Sequence, residues 1–85
     1  MTLFQSQGEC KFFVGFAAGG TWKRIGRANT DDECAALVTR KEPSANGATW
    51  DSDVDSSTGG GCFAEFGAIG KTIARGYRTC LFKGQ

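Results

Sequence analysis

The sequence of 85 residues contains no histidine, and none of its apolar runs is long enough to span a membrane. Histidine is the commonest general base and the usual partner of a serine or cysteine nucleophile. We therefore expect no enzymatic activity and no catalytic residues. The formal net charge of +1 gives no electrostatic reason to expect a nucleic-acid partner, and we expect neither membrane insertion nor a cofactor.

Four cysteines are spread widely along the chain, at Cys10, Cys34, Cys62 and Cys80. No two of them have the close spacing of a structural zinc site, so we expect no metal there. A single domain of this size is marginally stable unless disulfides or other cross-links support it. We predict two disulfides, for which three pairings exist, and hence an oxidising, extracellular location.

A helix is the clearest element in the sequence. Thr30 and Glu33 have the spacing of a capping box, and three acids occupy the predicted first turn. Cys34, Leu37, Val38 and Lys41 then fall on one face of a helix, and Pro43 disfavours helical geometry at the residue before it. The pattern predicts a helix of about three turns with Cys34 on its inward face.

Alternating apolar and polar residues predict strands on both sides of this helix, with glycine-rich turns between them. The predicted strands cover 9–16, 21–28, 48–50, 62–66 and 77–82. This order predicts a single α+β domain over residues 1–85 with an ordered core at about 9–83, in which one helix packs on a face of an antiparallel sheet of about five strands. The sheet residues expected under the helix are Phe12, Val14, Phe16, Ala64, Phe66 and Phe82.

The direction of the side chains favours one of the three disulfide pairings. Cys34 on the inward face of the helix must meet a sheet residue, and Cys62 lies on the apolar side of its strand. We therefore predict a Cys34–Cys62 disulfide between helix and sheet. The remaining pair, Cys10–Cys80, then joins the first and last strands.

The chain resembles the PAN/apple module in the order of its elements and the placement of its cysteines. The segments that carry the resemblance are "DDECAALV", "GATW", "GGCFAEF" and "YRTC". The family usually has a further bridge, near whose positions this chain has Val38 and Ala48. The resemblance implies the same two disulfides and a secreted adhesion or recognition module whose partner is a glycan or an extracellular protein. It assigns no fixed set of binding residues.

Carbohydrate binding, as in a lectin, is the function that we expect first. A glycan site needs an aromatic plate and a few polar groups that fix the orientation of the sugar. Trp50 and Trp22 are the candidate stacking residues. Trp50 beside Asp51 and Asp53 at a loop edge fits the description, although tryptophan is also common in cores. The further predicted contacts are Tyr77 and, for an acidic glycan, Arg24 and Arg78. The basic groups around these two arginines would merge if their strands were neighbours.

Protein–protein adhesion is the alternative function. Phe13, Phe63 and Leu81 are expected on the sheet face that the single helix does not cover. An exposed apolar group of this kind marks an interaction surface, which includes a homodimer interface. The competing interpretation is that the segment 67–76 or the N-terminal arm folds over this face. A secreted toxin or inhibitor is a third class, and nothing specific in the sequence supports it.

Asp51, Asp53 and Asp55 have the spacing that opens an EF-hand calcium loop. Calcium takes several oxygen ligands from one flexible loop, which gives the spacing a chemical meaning. The match fails further on, because Ser56 and Cys62 stand where a glycine and a bidentate glutamate are needed. A soluble hairpin tip is the preferred interpretation, and a weak calcium site is the alternative.

Overall fold

The structure, a computed structural model, describes residues 10–53 and 59–82. Its elements in chain order are β1 (Phe13–Val14), β2 (Phe16–Ala18), β3 (Thr21–Arg27), α1 (Asp31–Lys41), β4 (Gly47–Asp51), β5 (Gly61–Phe66), β6 (Gly70–Thr72) and β7 (Tyr77–Leu81). Five strands form one antiparallel sheet in the order β1-β7-β4-β5-β3, and β2 pairs with β6 in a separate two-stranded ribbon. The predicted α+β fold, with a five-stranded sheet, one helix and two disulfides, is confirmed.

Helix α1 begins and ends where the sequence predicts. The Thr30 hydroxyl accepts a hydrogen bond from the Glu33 amide at 3.1 Å, and the Glu33 carboxylate accepts one from the Asn29 amide at 2.9 Å. The first bond satisfies a backbone donor that the first turn leaves without a partner, and the second ties the residue before the N-cap to the helix. The helix ends at Lys41, and the amide of the C-cap residue Glu42 donates back to the Val38 carbonyl.

The core lies between α1 and one face of the larger sheet. Cys34 and Val38 of the helix are fully buried, and the sheet residues beneath them are mostly small. The buried residues of the central strands on this face are Ala48, Trp50, Cys62, Ala64 and Cys80. Partly buried apolar side chains close the edges of this core, at Phe12, Ile25, Leu37, Phe66 and Phe82.

Both predicted disulfides are present. Cys34–Cys62 joins the helix to β5 with a Cα–Cα distance of 5.4 Å, and Cys10–Cys80 joins the N-terminal segment to β7 with a distance of 5.5 Å. The loops that they close span 28 and 70 residues of sequence separation. The two bridges therefore tie the helix and the N-terminal segment to β5 and β7, two interior strands of the sheet.

The first predicted strand is broken at Gly15. This residue has φ +139°, and a Cβ there would clash with the backbone carbonyl oxygen of Thr72. The chain turns at this point, so β1 pairs with β7 whereas β2 pairs with β6. The sequence pattern predicts no strand within 67–76, whereas residues 70–72 form the second strand of the ribbon.

The break also corrects two predicted core residues. Phe16 follows Gly15 and packs against Tyr77 instead of lying under the helix. Val14 lies on the edge strand β1, outside the central strands β4 and β5 on which α1 rests, and its side chain is exposed. The alternation that placed both residues in the core does not continue through a glycine with positive φ.

Candidate ligand-binding groove

A groove of about 520 Å³ lies on the sheet face opposite to α1. Its floor comes from β4 and β5, where residues alternate between the two faces, so that Thr49 and Glu65 lie opposite to the core residues Ala48 and Ala64. The β2–β6 ribbon supplies one wall, through residues that include Phe16 and Thr72. The groove therefore exists because the turn at Gly15 carries β2 away from the larger sheet.

Two aromatic pairs line the groove. The rings of Phe16 and Tyr77 lie 4.5 Å apart at an interplanar angle of 33°. Trp22 meets Phe63 edge to face, with 5.4 Å between the ring centroids and an angle of 88°. Trp22 on the edge strand β3 is nevertheless 66% exposed, so its neighbour fixes the ring while its surface stays open to solvent.

The floor of the groove holds a chain of buried polar groups. The Thr49 hydroxyl lies 2.7 Å from Glu65 Oε2 and 2.8 Å from the Thr79 hydroxyl, and Thr79 donates to the Gly15 carbonyl at 2.7 Å. All three side chains are buried, with Glu65 only 4% exposed. The chain thus runs across β5, β4 and β7 and ends at the residue where the first strand turns.

Burial raises the pKa of the Glu65 carboxyl above its ordinary value of 4.5, and the hydrogen bond with Thr49 offsets part of this rise. The larger cause is the loss of water around a charged carboxylate. Glu65 is the one carboxyl among the described residues that line the groove, and its burial favours the uncharged form.

Trp50, the main predicted stacking residue, lies in the core. Its side chain is on the helix side of β4 and is 8% exposed, and its indole N–H donates to the Ala28 carbonyl at 2.9 Å. A ring that is buried and bonded in this way has no face left for a sugar, which argues against the prediction. Asp51 and Asp53 lie at the end of β4 outside the groove lining, where the Asp53 amide donates to the Asp51 carboxylate at 3.0 Å.

The two predicted basic helpers do not converge. Arg78 donates through Nε to Asp31 at 2.8 Å, at the start of the helix and therefore on the other side of the sheet from the groove. Arg24 lies on β3, and two strands separate β3 from β7. The condition under which the two basic groups would merge, that their strands are neighbours, is therefore not met. Tyr77 is the predicted contact that does line the groove.

The predicted apolar interaction face is half covered. The Lys71 ammonium lies 5.0 Å from the centre of the Phe13 ring, and Trp22 packs on Phe63. Phe13, Phe63 and Leu81 are each partly buried. Protein–protein adhesion through these three residues stays a prediction that no finding tests.

The calcium alternative falls partly outside the described residues, since Asp55 is not among them. Within residues 10–53 and 59–82, no group of three histidine, cysteine, aspartate or glutamate side chains is arranged to hold a metal ion. The alternative that rests on Asp51, Asp53 and Asp55 therefore stays a prediction.

Sequence reasoning preferred Trp50 to Trp22 as the stacking residue and did not propose Glu65, although the sequence holds a signal for each of these two groove residues. Trp22 alternates with Lys23 in the second predicted strand, which places it on one sheet face together with Arg24. Glu65 is an acid enclosed by apolar residues in a strand that also carries a buried cysteine. A carboxyl in such a strand faces burial, and buried carboxyls with shifted pKa values are typical of functional sites.

Comparison with family models, with curated proteins and with solved structures finds no match to this chain. The resemblance to the PAN/apple module therefore stays a prediction. Two disulfides indicate that the chain folds in an oxidising compartment. No helix among the described residues has the length and apolar character needed to cross a membrane.

Proposed function

We propose that the chain is a secreted, non-catalytic recognition domain that binds carbohydrate in the groove between the larger sheet and the β2–β6 ribbon. The observation that carries the proposal is the position of Trp22: a large aromatic surface, 66% exposed, stands beside a buried polar floor. An exposed tryptophan is unfavourable in water, and a ligand with an apolar face removes that cost.

The chemistry of the groove suits a sugar ring. A pyranose has faces of C–H bonds, which pack on aromatic rings, and a rim of hydroxyls, which need hydrogen-bonding partners. The aromatic side chains of Trp22, Phe16 and Tyr77 offer the plates, while Glu65 and Thr72 offer polar atoms in the same groove. A volume of about 520 Å³ lies within the usual range of small-molecule sites, roughly 300–1,000 Å³.

The two disulfides support the extracellular part of the proposal. They close loops of 28 and 70 residues of separation, which reducing conditions would open. Glycans are abundant partners in the oxidising environment outside cells, where such bridges persist. The resemblance to the PAN/apple module implies the same class of partner.

The test is a glycan array probed with the labelled wild-type domain, Trp22→Ala, Trp22→Phe and Ile73→Ala. Ile73 is 92% exposed and does not line the groove, so it controls for the loss of an exposed apolar side chain. We expect a focused set of hits for the wild type and for Ile73→Ala. Trp22→Ala should weaken binding by about 30-fold, which corresponds to about 2 kcal/mol for a truncated tryptophan contact, and Trp22→Phe should retain part of it.

A blank array for the wild type contradicts the proposal. Hits that survive Trp22→Ala unchanged would move the site elsewhere on the surface. Circular dichroism of each variant is the control for folding, and Trp22 on an edge strand with most of its ring exposed is a position where truncation leaves the core intact.

A further inference from the structure

The polar chain on the groove floor contains three hydrogen-bonding contacts, whereas its two threonine hydroxyls supply only two protons. Three close contacts link the chain: Glu65 Oε2 to Thr49 at 2.7 Å, Thr49 to Thr79 at 2.8 Å, and Thr79 to the Gly15 carbonyl at 2.7 Å. Each contact needs one proton between its two oxygens, and each threonine hydroxyl carries one. The Gly15 carbonyl oxygen has no proton to give, so the third proton must come from the Glu65 carboxyl.

An ionised Glu65 leaves the chain one proton short. Thr49 would then donate to the carboxylate, and Thr79 has a single proton for either Thr49 or the Gly15 carbonyl. One pair of buried oxygens would face each other at 2.7–2.8 Å with no proton between them. Such a contact between unpartnered buried acceptors is unfavourable, whereas a protonated Glu65 satisfies all three contacts in one direction.

The charged surroundings of Glu65 do not oppose this arrangement. The other ionisable groups of the strands that face this side of the sheet are Arg24 and Arg27 on β3, Asp51 on β4, Tyr77 on β7 and Lys71 on β6, while β1 and β2 contain none. Arg27 pairs with Gly61, and its guanidinium lies near Gly60, at the far end of β5. Arg24 Nε lies 3.2 Å from the position that a Cβ on Gly61 would take, toward the end of β5 far from Glu65. Lys71 is engaged over the Phe13 ring. Among the described residues, no cation forms an ion pair or a hydrogen bond with the Glu65 carboxyl.

We infer that Glu65 is held in the folded protein as an uncharged carboxylic acid that donates the first bond of the Glu65–Thr49–Thr79–Gly15 chain, and that the groove accordingly receives an uncharged, hydroxyl-bearing ligand on its remaining oxygen. No hydrogen bond joins that second oxygen to the described residues, and Glu65 lines the groove. Desolvation, the first cause of the raised pKa, acts in the same direction, whereas a hydrogen bond donated by Thr49 to the ionised carboxylate would act against it.

The ligand part of this inference rests on the proposed function, and it narrows the class of sugar. A neutral carboxyl offers a carbonyl oxygen that accepts from a hydroxyl but gives no net attraction to an ammonium group. An ionised carboxylate in the same place would favour a cationic amino sugar. A neutral hexoside should therefore bind as well as the matching amino sugar while Glu65 is protonated. The affinity for the amino sugar should rise only after Glu65 ionises.

The proton count is tested without any ligand, by following the Glu65 side-chain carboxyl carbon by NMR as a function of pH. The expected midpoint lies above the ordinary value of 4.5, and a midpoint at or below that value overturns the inference. Thr79→Val removes the second and third contacts, so Thr49 alone then supplies the proton for Glu65. We expect the midpoint to fall in Thr79→Val and to return in Thr79→Ser, which restores the hydroxyl.

An unchanged midpoint in Thr79→Val would show that burial alone shifts the group and would overturn the proton count. If Thr79→Val fails to fold, Glu65→Gln gives a second test, because the amide nitrogen replaces the O–H donor toward Thr49. Its amide resonance should then be protected from exchange and insensitive to pH. A freely exchanging side-chain amide would contradict a donor role at this position.

The ligand class is tested by titrating the wild type with methyl glucoside and with glucosamine below and above the measured midpoint. Below the midpoint we expect glucosamine to bind no more tightly than methyl glucoside. Above the midpoint we expect the affinity for glucosamine to rise. A preference for glucosamine at the lower pH overturns the assignment of an uncharged ligand. If neither sugar shifts any groove resonance while Glu65 still titrates above 4.5, the proposed function fails and the protonated state of Glu65 stands.

Discussion

Removal of the Cys34–Cys62 disulfide by Cys34→Ala/Cys62→Ala should cost about 4–5 kcal/mol of unfolding free energy. The bridge closes a loop with a sequence separation of 28, for which the loss of loop-closure entropy in the unfolded chain is worth about 3.6 kcal/mol. Both half-cystines are fully buried between α1 and β5, so losing the two sulfur atoms adds small cavities worth about 1 kcal/mol. The whole unfolding free energy of a small domain is roughly 5–15 kcal/mol, so this loss is a large part of it.

Urea unfolding followed by tryptophan fluorescence measures this loss, because Trp50 in the core changes its surroundings when the chain unfolds. The matched variant Cys10→Ala/Cys80→Ala opens a loop with a separation of 70, for which the same relation gives about 4.4 kcal/mol. A loss below about 1 kcal/mol in the Cys34→Ala/Cys62→Ala variant would refute the reasoning, since it would mean that the bridge does not constrain the unfolded chain.

Three further predictions concern single residues. Thr30→Ala should lower stability by about 1 kcal/mol, measured by urea unfolding, because it removes the acceptor that caps α1; no change would contradict the cap. The raised pKa of Glu65 gives a stabilising contribution that is fully present below pH 4.5 and is lost as the pH rises through the folded-state value, because the folded chain then binds more protons than the unfolded one. The difference in Tm between wild type and Glu65→Gln should therefore change over this window, and a constant difference would contradict the shift. Gly15→Ala should cost on the order of 1–3 kcal/mol and disturb the Phe16 resonances, because φ is positive and the new Cβ meets the Thr72 carbonyl.

Local sequence patterns predict much of the fold. The helix could be read from Thr30 to Lys41 because capping, periodicity and proline all act within a few residues of sequence. The disulfide pairing followed because Cys34 and Cys62 each lie on an apolar face, and two such faces must meet in a domain with one core.

The one local signal for the break is Gly15 itself, since a glycine inside a strand pattern is typical of a bulge or of a close approach by another backbone. Alternation runs through this glycine without interruption, and only the partner strand β6, more than fifty residues later, shows why the chain turns there. The backbone of Thr72 approaches so closely that a side chain at residue 15 has no room. The wall of the groove depends on this contact, so the groove itself was not predictable from the sequence pattern.

The sequence could not show which of the two tryptophans is exposed, because this too depends on long-range strand pairing. Trp50 and Trp22 both lie in short alternating segments, and either one fits a stacking residue by sequence alone. Trp50 is buried because β4 lies at the centre of the sheet under α1, whereas Trp22 lies on the edge strand β3 and on the opposite face. Strand order in a sheet is set by long-range pairing, which a single sequence does not show.

The central claim, that the groove is a carbohydrate site, is tested most directly by chemical-shift mapping on isotope-labelled protein titrated with the strongest glycan from the array. The account predicts shifts that concentrate at Phe16, Trp22, Phe63, Glu65 and Tyr77 and that are absent in Trp22→Ala. Shifts that cluster instead on the exposed side of α1 or around Asp51 and Asp53, with the groove resonances unmoved, would contradict it.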